Sequence, residues 1–138
     1  MNAPEGETLE PLDLSDKSKL SLADRWILDK LEHAVNDVTA AMNDYRLNDA
    51  AMGNYSFFWH VYCDWYIELI KPVMNGEDEA AKAETRKACG WVIDQTLKLL
   101  HPFTPFVTEA LWEQTEDADR KRPGFLMLQD WLRYGDAW

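Results

Sequence analysis

Apolar residues in this chain recur at helical spacing over long runs, and proline closes the runs. Ile27, Leu31, Ala34, Val38, Ala41 and Tyr45 follow one another at alternating steps of four and three. That is the seam of a helix packed antiparallel against another. Met52, Tyr55, Trp59, Tyr62, Tyr66 and Leu69 repeat the pattern, and Pro72 follows. A third run places Cys89, Val92, Ile93, Thr96, Leu97 and Leu100 inward, before Pro102. Strand-like alternation is absent until Phe125–Leu128, read as a short extended piece. The expected fold is all-α, an antiparallel up-down bundle with an irregular C-terminal extension.

The local signals set the boundaries. Ser21, with Asp24 three residues on, opens a first helix over 22–45, about 36 Å long. Asn48 is the expected N-cap of a second helix, which Pro72 ends by lacking an N–H and disfavouring helix at the residue before it. The short link Arg46–Asn48 makes these two helices neighbours. A third helix runs from Glu79 to His101, and Thr104–Pro105 reads as cap plus first turn of a fourth, ending near Gln114. Residues 1–20 read as an acidic linker or tail, 21–114 as the bundle and 115–138 as a charged loop with an extension.

Charge and motif chemistry narrow the function. The chain has 14 Lys and Arg against 25 Asp and Glu, a net charge of −11. A surface that attracts phosphate everywhere is excluded, and DNA is not an expected partner. The two cysteines, Cys63 and Cys89, lie far apart and show no metal spacing. His60 and Cys63 make half of a zinc-type pair without the other half, so no metal site is expected. No Gly-x-Ser-x-Gly, glycine-rich phosphate loop or His-Glu-x-x-His occurs, so no catalytic residue is expected in these 138 residues. Asp64 and Glu68 share a helix face as a solvated acidic edge. No apolar run reaches the ~20 residues of a membrane span, and the first residues lack an apolar signal core. A cytoplasmic, soluble chain is expected.

Four motifs occur in order: Ala23-Asp24-Arg25-Trp26-Ile27-Leu28; Tyr45-Arg46-Leu47-Asn48-Asp49-Ala50-Ala51; Trp59 with Cys63-Asp64-Trp65-Tyr66-Ile67-Glu68 and Lys71-Pro72; and His101-Pro102-Phe103-Thr104-Pro105-Phe106 running on through Thr108, Glu109, Leu111 and Trp112. Together they resemble the anticodon-binding helical bundle of the class I valyl-tRNA synthetases over about residues 20–131. Thr104 stands where that family often has Met, and Ala110 where it often has Glu. The family's His-Ile-Gly-His and Lys-Met-Ser-Lys-Ser signatures, which bind ATP, are absent from the sequence.

The resemblance implies a part of a larger ATP- and Mg-dependent valine-tRNA ligase, with valine tRNA and the enzyme's remaining domains as partners. No cofactor is implied for the part itself. Cys63, Asp64, Trp65, Tyr66, His101, Pro102, Phe103, Pro105 and Trp112 are expected to specify the fold. RNA recognition needs amides, guanidinium groups and stacking planes on rigid elements. The candidates are Asn43, Tyr45, Arg46 and Asn48 at the corner of the first two helices, with Arg25, Lys30 and Asn36 on the first. Arg120, Lys121 and Arg122 form the basic cluster, a contact to the tRNA backbone or a merely charged loop. A helical protein–protein module with no RNA role is the alternative reading.

Overall fold

The computed structural model describes residues 14, 16–117 and 120–133. Its elements are α1 (Leu22–Asn43), α2 (Leu47–Tyr55), a π-helical segment (Ser56–Tyr66), α3 (Ile67–Met74), α4 (Glu79–Leu100) and α5 (Pro105–Gln114). Short 3-10 turns lie at Lys17–Lys19 and Leu126–Leu128, and no strand occurs among the described residues. The α2, π and α3 pieces run on as one rod. That rod, α1 and α4 pack against one another, and α5 lies on α4.

Helix α1 starts where the cap signal places it. The Ser21 hydroxyl accepts from Asp24 N–H at 3.2 Å. The reciprocal half of a capping box is supplied from another helix, because Glu84 of α4 accepts from Ser21 N–H at 2.9 Å. Asp24 is thereby free to turn inward. It is fully buried, and Tyr66 Oη donates to its Oδ1 at 2.8 Å. Thr85 Oγ1 lies 3.4 Å from Oδ2, so one carboxylate joins α1, the π segment and α4.

The second rod departs from its expected register. The side chains that enter the core are Ala50, Asn54, Phe57, Tyr62, Tyr66 and Ile70. Met52, Tyr55, Trp59 and Leu69, expected inward, are exposed. The step of five from Phe57 to Tyr62 explains the difference. Hydrogen bonding from i to i+5 widens each turn and rotates every following residue relative to an α-helix. The expected stops also shift. Asn48 is not the cap, because Arg46 holds that place without a side-chain bond. Pro72 sits inside the last turn of α3, which runs on to Met74. There its missing N–H removes only one terminal bond.

Elsewhere the boundaries match closely. Helix α1 stops at Asn43, two residues early, because Tyr45 takes a positive φ of 60° to turn the corner. Helix α4 ends at Leu100 and α5 begins with Pro105 at its first position. Thr104 precedes α5 as expected but donates its hydroxyl back to Leu100 O at 3.2 Å instead of capping. Phe125–Leu128 is not extended, since its last three residues form the 3-10 turn. Glu109 fixes that turn by accepting from Leu126 N–H at 2.7 Å and Met127 N–H at 3.1 Å.

The flanking segments contribute to the core. Leu20 is buried and Leu14 packs against it, although both fall in the stretch read as a tail. The first 13 residues of that tail lie outside the described residues. Leu132 is buried with α1 and the rod, and Leu126 joins Leu97 and Trp112 in a second cluster under α5.

Candidate nucleic-acid interface

Asn43, Tyr45, Arg46 and Asn48 are brought together at the corner of α1 and α2, and all four are exposed. Arg46 N–H reaches back to Ala41 O at 2.8 Å, which ties the turn to the end of α1. Tyr45 is thrown outward and is 90% exposed, the ring of a stacking surface without a covering neighbour. Arg46 is braced by the two acids beside it, Asp49 at 2.8 Å and Asp44 at 3.3 Å. These bonds, Asp49's first, raise the guanidinium pKa above its ordinary value. They also fix the fork in one orientation while leaving half its surface to solvent. The corner therefore offers planar donors and an aromatic face, but no net positive charge.

The candidates on α1 divide between two sides. Arg25, Asn36 and Asn43 fall on one line, at separations of eleven and seven residues. Arg25 stands about 27 Å from the corner by helical rise. Its guanidinium has no ion-pair partner among the described residues. Lys30 faces the other way, into a shallow groove of about 210 Å³ shared with His33, Asp37, Gly53, Phe57 and Val61. His33 Nδ1 lies 2.8 Å from Asp29 O, and that bond raises the imidazole pKa.

The basic loop is spent on the fold. Arg122 is nearly buried, paired with Asp94 at 2.9 Å and lying 3.9 Å above the Trp112 ring. It also donates to Trp112 O at 2.7 Å and Thr115 Oγ1 at 2.7 Å. Arg120 donates to Gly90 O at 3.0 Å and Asp94 Oδ1 at 3.2 Å. These two arginines clamp the loop onto α4. Lys121 is the exposed member, 3.3 Å from Glu116.

The expected fold-specifying residues also divide. Tyr66 is buried and bonded to Asp24, whereas Asp64 and Trp65 point to solvent. Asp64 pairs with His60 at 3.4 Å across one helical turn, and Trp65 is 63% exposed. The register change in the π segment accounts for both. Cys63 is half-buried, and burial pushes its thiol pKa up. At the other motif, His101 Nδ1 lies 2.8 Å from Thr108 Oγ1 across the turn that Pro102 and Pro105 enclose. Phe103 packs against the main core, and Trp112 is buried with its Nε1–H on Gly124 O at 3.0 Å. Sequence reasoning missed Glu84 and Asp94, and it quoted Asp24 and Glu109 within motifs without assigning them the partners they hold. Asp94 stands in an otherwise apolar stretch, which was the available signal, whereas Glu84 lies among other charges and gave none.

Among the described residues no three His, Cys, Asp or Glu side chains gather to hold a metal ion, and no helix is long and apolar enough to cross a membrane.

Residues 24–137 match the model of a family described as the anticodon-binding domain of tRNA ligase. The chain belongs to that family. It is 50% identical over 107 residues to the valine–tRNA ligase of Rhizobium meliloti, covering 78% of this chain and 11% of that protein. Identity to the valine–tRNA ligase of Rhodopseudomonas palustris is 52% over 111 residues, 80% of this chain and 11% of that protein. With the valine–tRNA ligase of Agrobacterium fabrum it is 44% over 126 residues, 91% and 13% respectively. The chain thus spans little more than a tenth of the length of these relatives.

Proposed function

We propose that this chain is the anticodon-binding bundle of a valine–tRNA ligase and holds valine tRNA in place for ATP-dependent charging. The supporting observation is the identity of about half over most of the chain to valine–tRNA ligases. In this reading the ATP, Mg and valine chemistry belongs to other parts of the parent enzyme. This bundle supplies a rigid platform.

The corner of Asn43, Tyr45, Arg46 and Asn48 is the proposed contact to the anticodon loop. It carries an exposed ring, two amides and one oriented guanidinium within six residues of chain. The test is Arg46→Ala in the parent ligase. Loss of a base-edge contact should weaken valine tRNA by about 1–3 kcal/mol, with valine activation unchanged. The loss should shrink for a tRNA with an altered anticodon. Equal charging of both tRNAs by variant and parent would remove the corner from the site. Arg25→Ala is the companion measurement, because Arg25 is the unpaired guanidinium at the other end of α1.

We further propose that the end of the bundle bearing Leu22, Trp65 and Leu69 docks against the remaining domains of the ligase. All three are exposed large apolar residues, and the Asp24–Tyr66 bond holds the start of α1 level with Trp65. Such a surface on a water-soluble unit marks a protein contact. Acrylamide should quench Trp65 in the isolated chain and not in the parent ligase, read as the difference from Trp65→Phe. Equal quenching in both would refute the docking.

A further inference from the structure

The motif that opens at His101 runs on through α5, and the proposed RNA contact uses none of it. Along α5 and the turn that follows, six large apolar side chains stand in water: Phe106, Val107, Leu111, Phe125, Met127 and Leu128. Phe106 is 91% exposed, and Phe125, Met127 and Leu128 are each about two-thirds exposed or more.

Polar bonds hold these side chains out. Glu109 lies three residues after Phe106, so the two are neighbours on the surface of α5. Its carboxylate accepts from both Leu126 N–H and Met127 N–H. One carboxylate thus draws the Met127 backbone to the turn of α5 that bears Phe106. Trp112 Nε1–H donates to Gly124 O, which fixes the chain as it enters Phe125. Leu128 N–H donates to Phe125 O at 3.1 Å and closes the turn. Leu126 is the buried anchor, packed with Leu97 and Trp112, while its neighbours Phe125, Met127 and Leu128 face outward. A turn with its backbone bonded and its anchor buried gains nothing from apolar neighbours in water. Ordered apolar side chains gathered in this way mark a surface that another protein surface covers, with the ordering cost already met.

We propose that the edge formed by Phe106, Phe125 and Met127 is a docking surface, covered by an apolar, basic-rimmed surface in the rest of the parent ligase. Charge decides among the occupants. Helix α5 carries Glu109 and Glu113 and no lysine or arginine. Glu113 is exposed and has no ion-pair partner among the described residues. RNA phosphates are repelled by such an edge. A symmetric pair of copies would set the same acids against each other, on chains of net charge −11. The chain spans about a tenth of the length of its valine–tRNA ligase relatives, so most of such a protein is available to cover the edge. Contacts between parts of one protein are of this mixed kind, apolar at the centre and charged at the rim. The proposal rests on the ligase reading and uses other residues than the face of Leu22, Trp65 and Leu69.

The test is peroxide oxidation of Met127, read by mass spectrometry against added free methionine, in the chain and in the parent ligase without tRNA. Met127 should oxidise readily in the chain and at least about five-fold more slowly in the ligase. Phe106→Ser should return much of the lost rate in the ligase, and circular dichroism of the same variant of the chain should be unchanged. Glu113→Lys should also speed Met127 oxidation in the ligase, because it sets like charges against each other at the rim. Equal Met127 rates in chain and ligase overturn the docking. So does protection that rises with concentration of the chain, which assigns the edge to a second copy, or protection that needs added valine tRNA, which assigns it to RNA. An unchanged rate in Glu113→Lys overturns the basic rim. Charging of valine tRNA by the same ligase checks the ligase reading separately, so normal charging with Met127 still open refutes this surface alone.

Discussion

Tyr66→Phe removes one oxygen atom and tests the junction on which the helix arrangement depends. Tyr66, Asp24 and Thr85 are all essentially inaccessible to solvent. The Tyr66 hydroxyl donates to Asp24 Oδ1 at 2.8 Å, and Thr85 Oγ1 donates to Oδ2 at a long 3.4 Å. Almost no apolar contact is lost in the variant, so cavity terms are small. What remains is a buried carboxylate oxygen without its donor, and a bond to such a group contributes about 1.5–3 kcal/mol. We expect a loss of about 2–3 kcal/mol in urea unfolding, with the slope unchanged, and a fall in Tm of about 5–10 °C. Thr85→Val should cost less, about 0.5–1 kcal/mol, because its bond is already stretched. In a double-mutant cycle with Asp24→Asn, the two effects should be non-additive by at least about 1 kcal/mol. A loss below about 0.5 kcal/mol for Tyr66→Phe, or full additivity, would refute the carboxylate as the tie between α1, the rod and α4.

Other perturbations read different parts of the structure. Trp65→Ala should change stability by less than about 1 kcal/mol, since the indole stands in solvent, and chemical denaturation measures it directly. Arg122→Ala should cost about 2–4 kcal/mol in the same assay. It strips Asp94 of its closest partner and uncovers Trp112, and breaking a buried pair by removing one member is strongly destabilising. Burial, more than the neighbouring Cys89 and Asp24, pushes the Tyr62 and Tyr66 hydroxyls far above the usual tyrosine range. A raised folded-state pKa stabilises below the unfolded value of about 10 and loses that contribution as pH rises past it. Ultraviolet titration should therefore show these two tyrosines ionising only together with unfolding. Their ionisation in the folded chain near pH 10 would contradict the buried placement.

Much of the fold could be read from the sequence because helices announce themselves locally. Ser21 caps α1, Pro105 opens α5, and the α4 boundaries fall within a residue of those expected. The misplaced register of the second rod has one cause. A seam written at steps of three and four assumes α-helical turns, and the rod does not keep them. From Ser56 to Tyr66 it is π-helical, so Trp59 and Trp65 rotate outward while Phe57 and Tyr62 take the core. Eight apolar or aromatic residues fill those eleven positions, so nearly any register presents some apolar face, and local pattern cannot choose among them. The choice is made by long-range polar partners, Asp24 for Tyr66 and Cys89 for Tyr62. No local window contains both ends of such a bond.

The candidate interface was less legible than the fold, for an electrostatic reason. Counting charges along the chain picks out Arg120–Lys121–Arg122 as the basic cluster, yet two of its three cations face inward onto Asp94 and backbone carbonyls. A cation's availability to RNA depends on which acids the fold brings to it. In this chain the clustered arginines are neutralised by a residue at least 26 positions away. At the corner the opposing acids are local, so Arg46 is oriented and partly neutralised at once. If this acidic bundle binds RNA through such groups, its discrimination comes from oriented donors and stacking planes more than from net attraction. Its affinity should accordingly depend less steeply on salt than that of a basic RNA-binding domain of similar size.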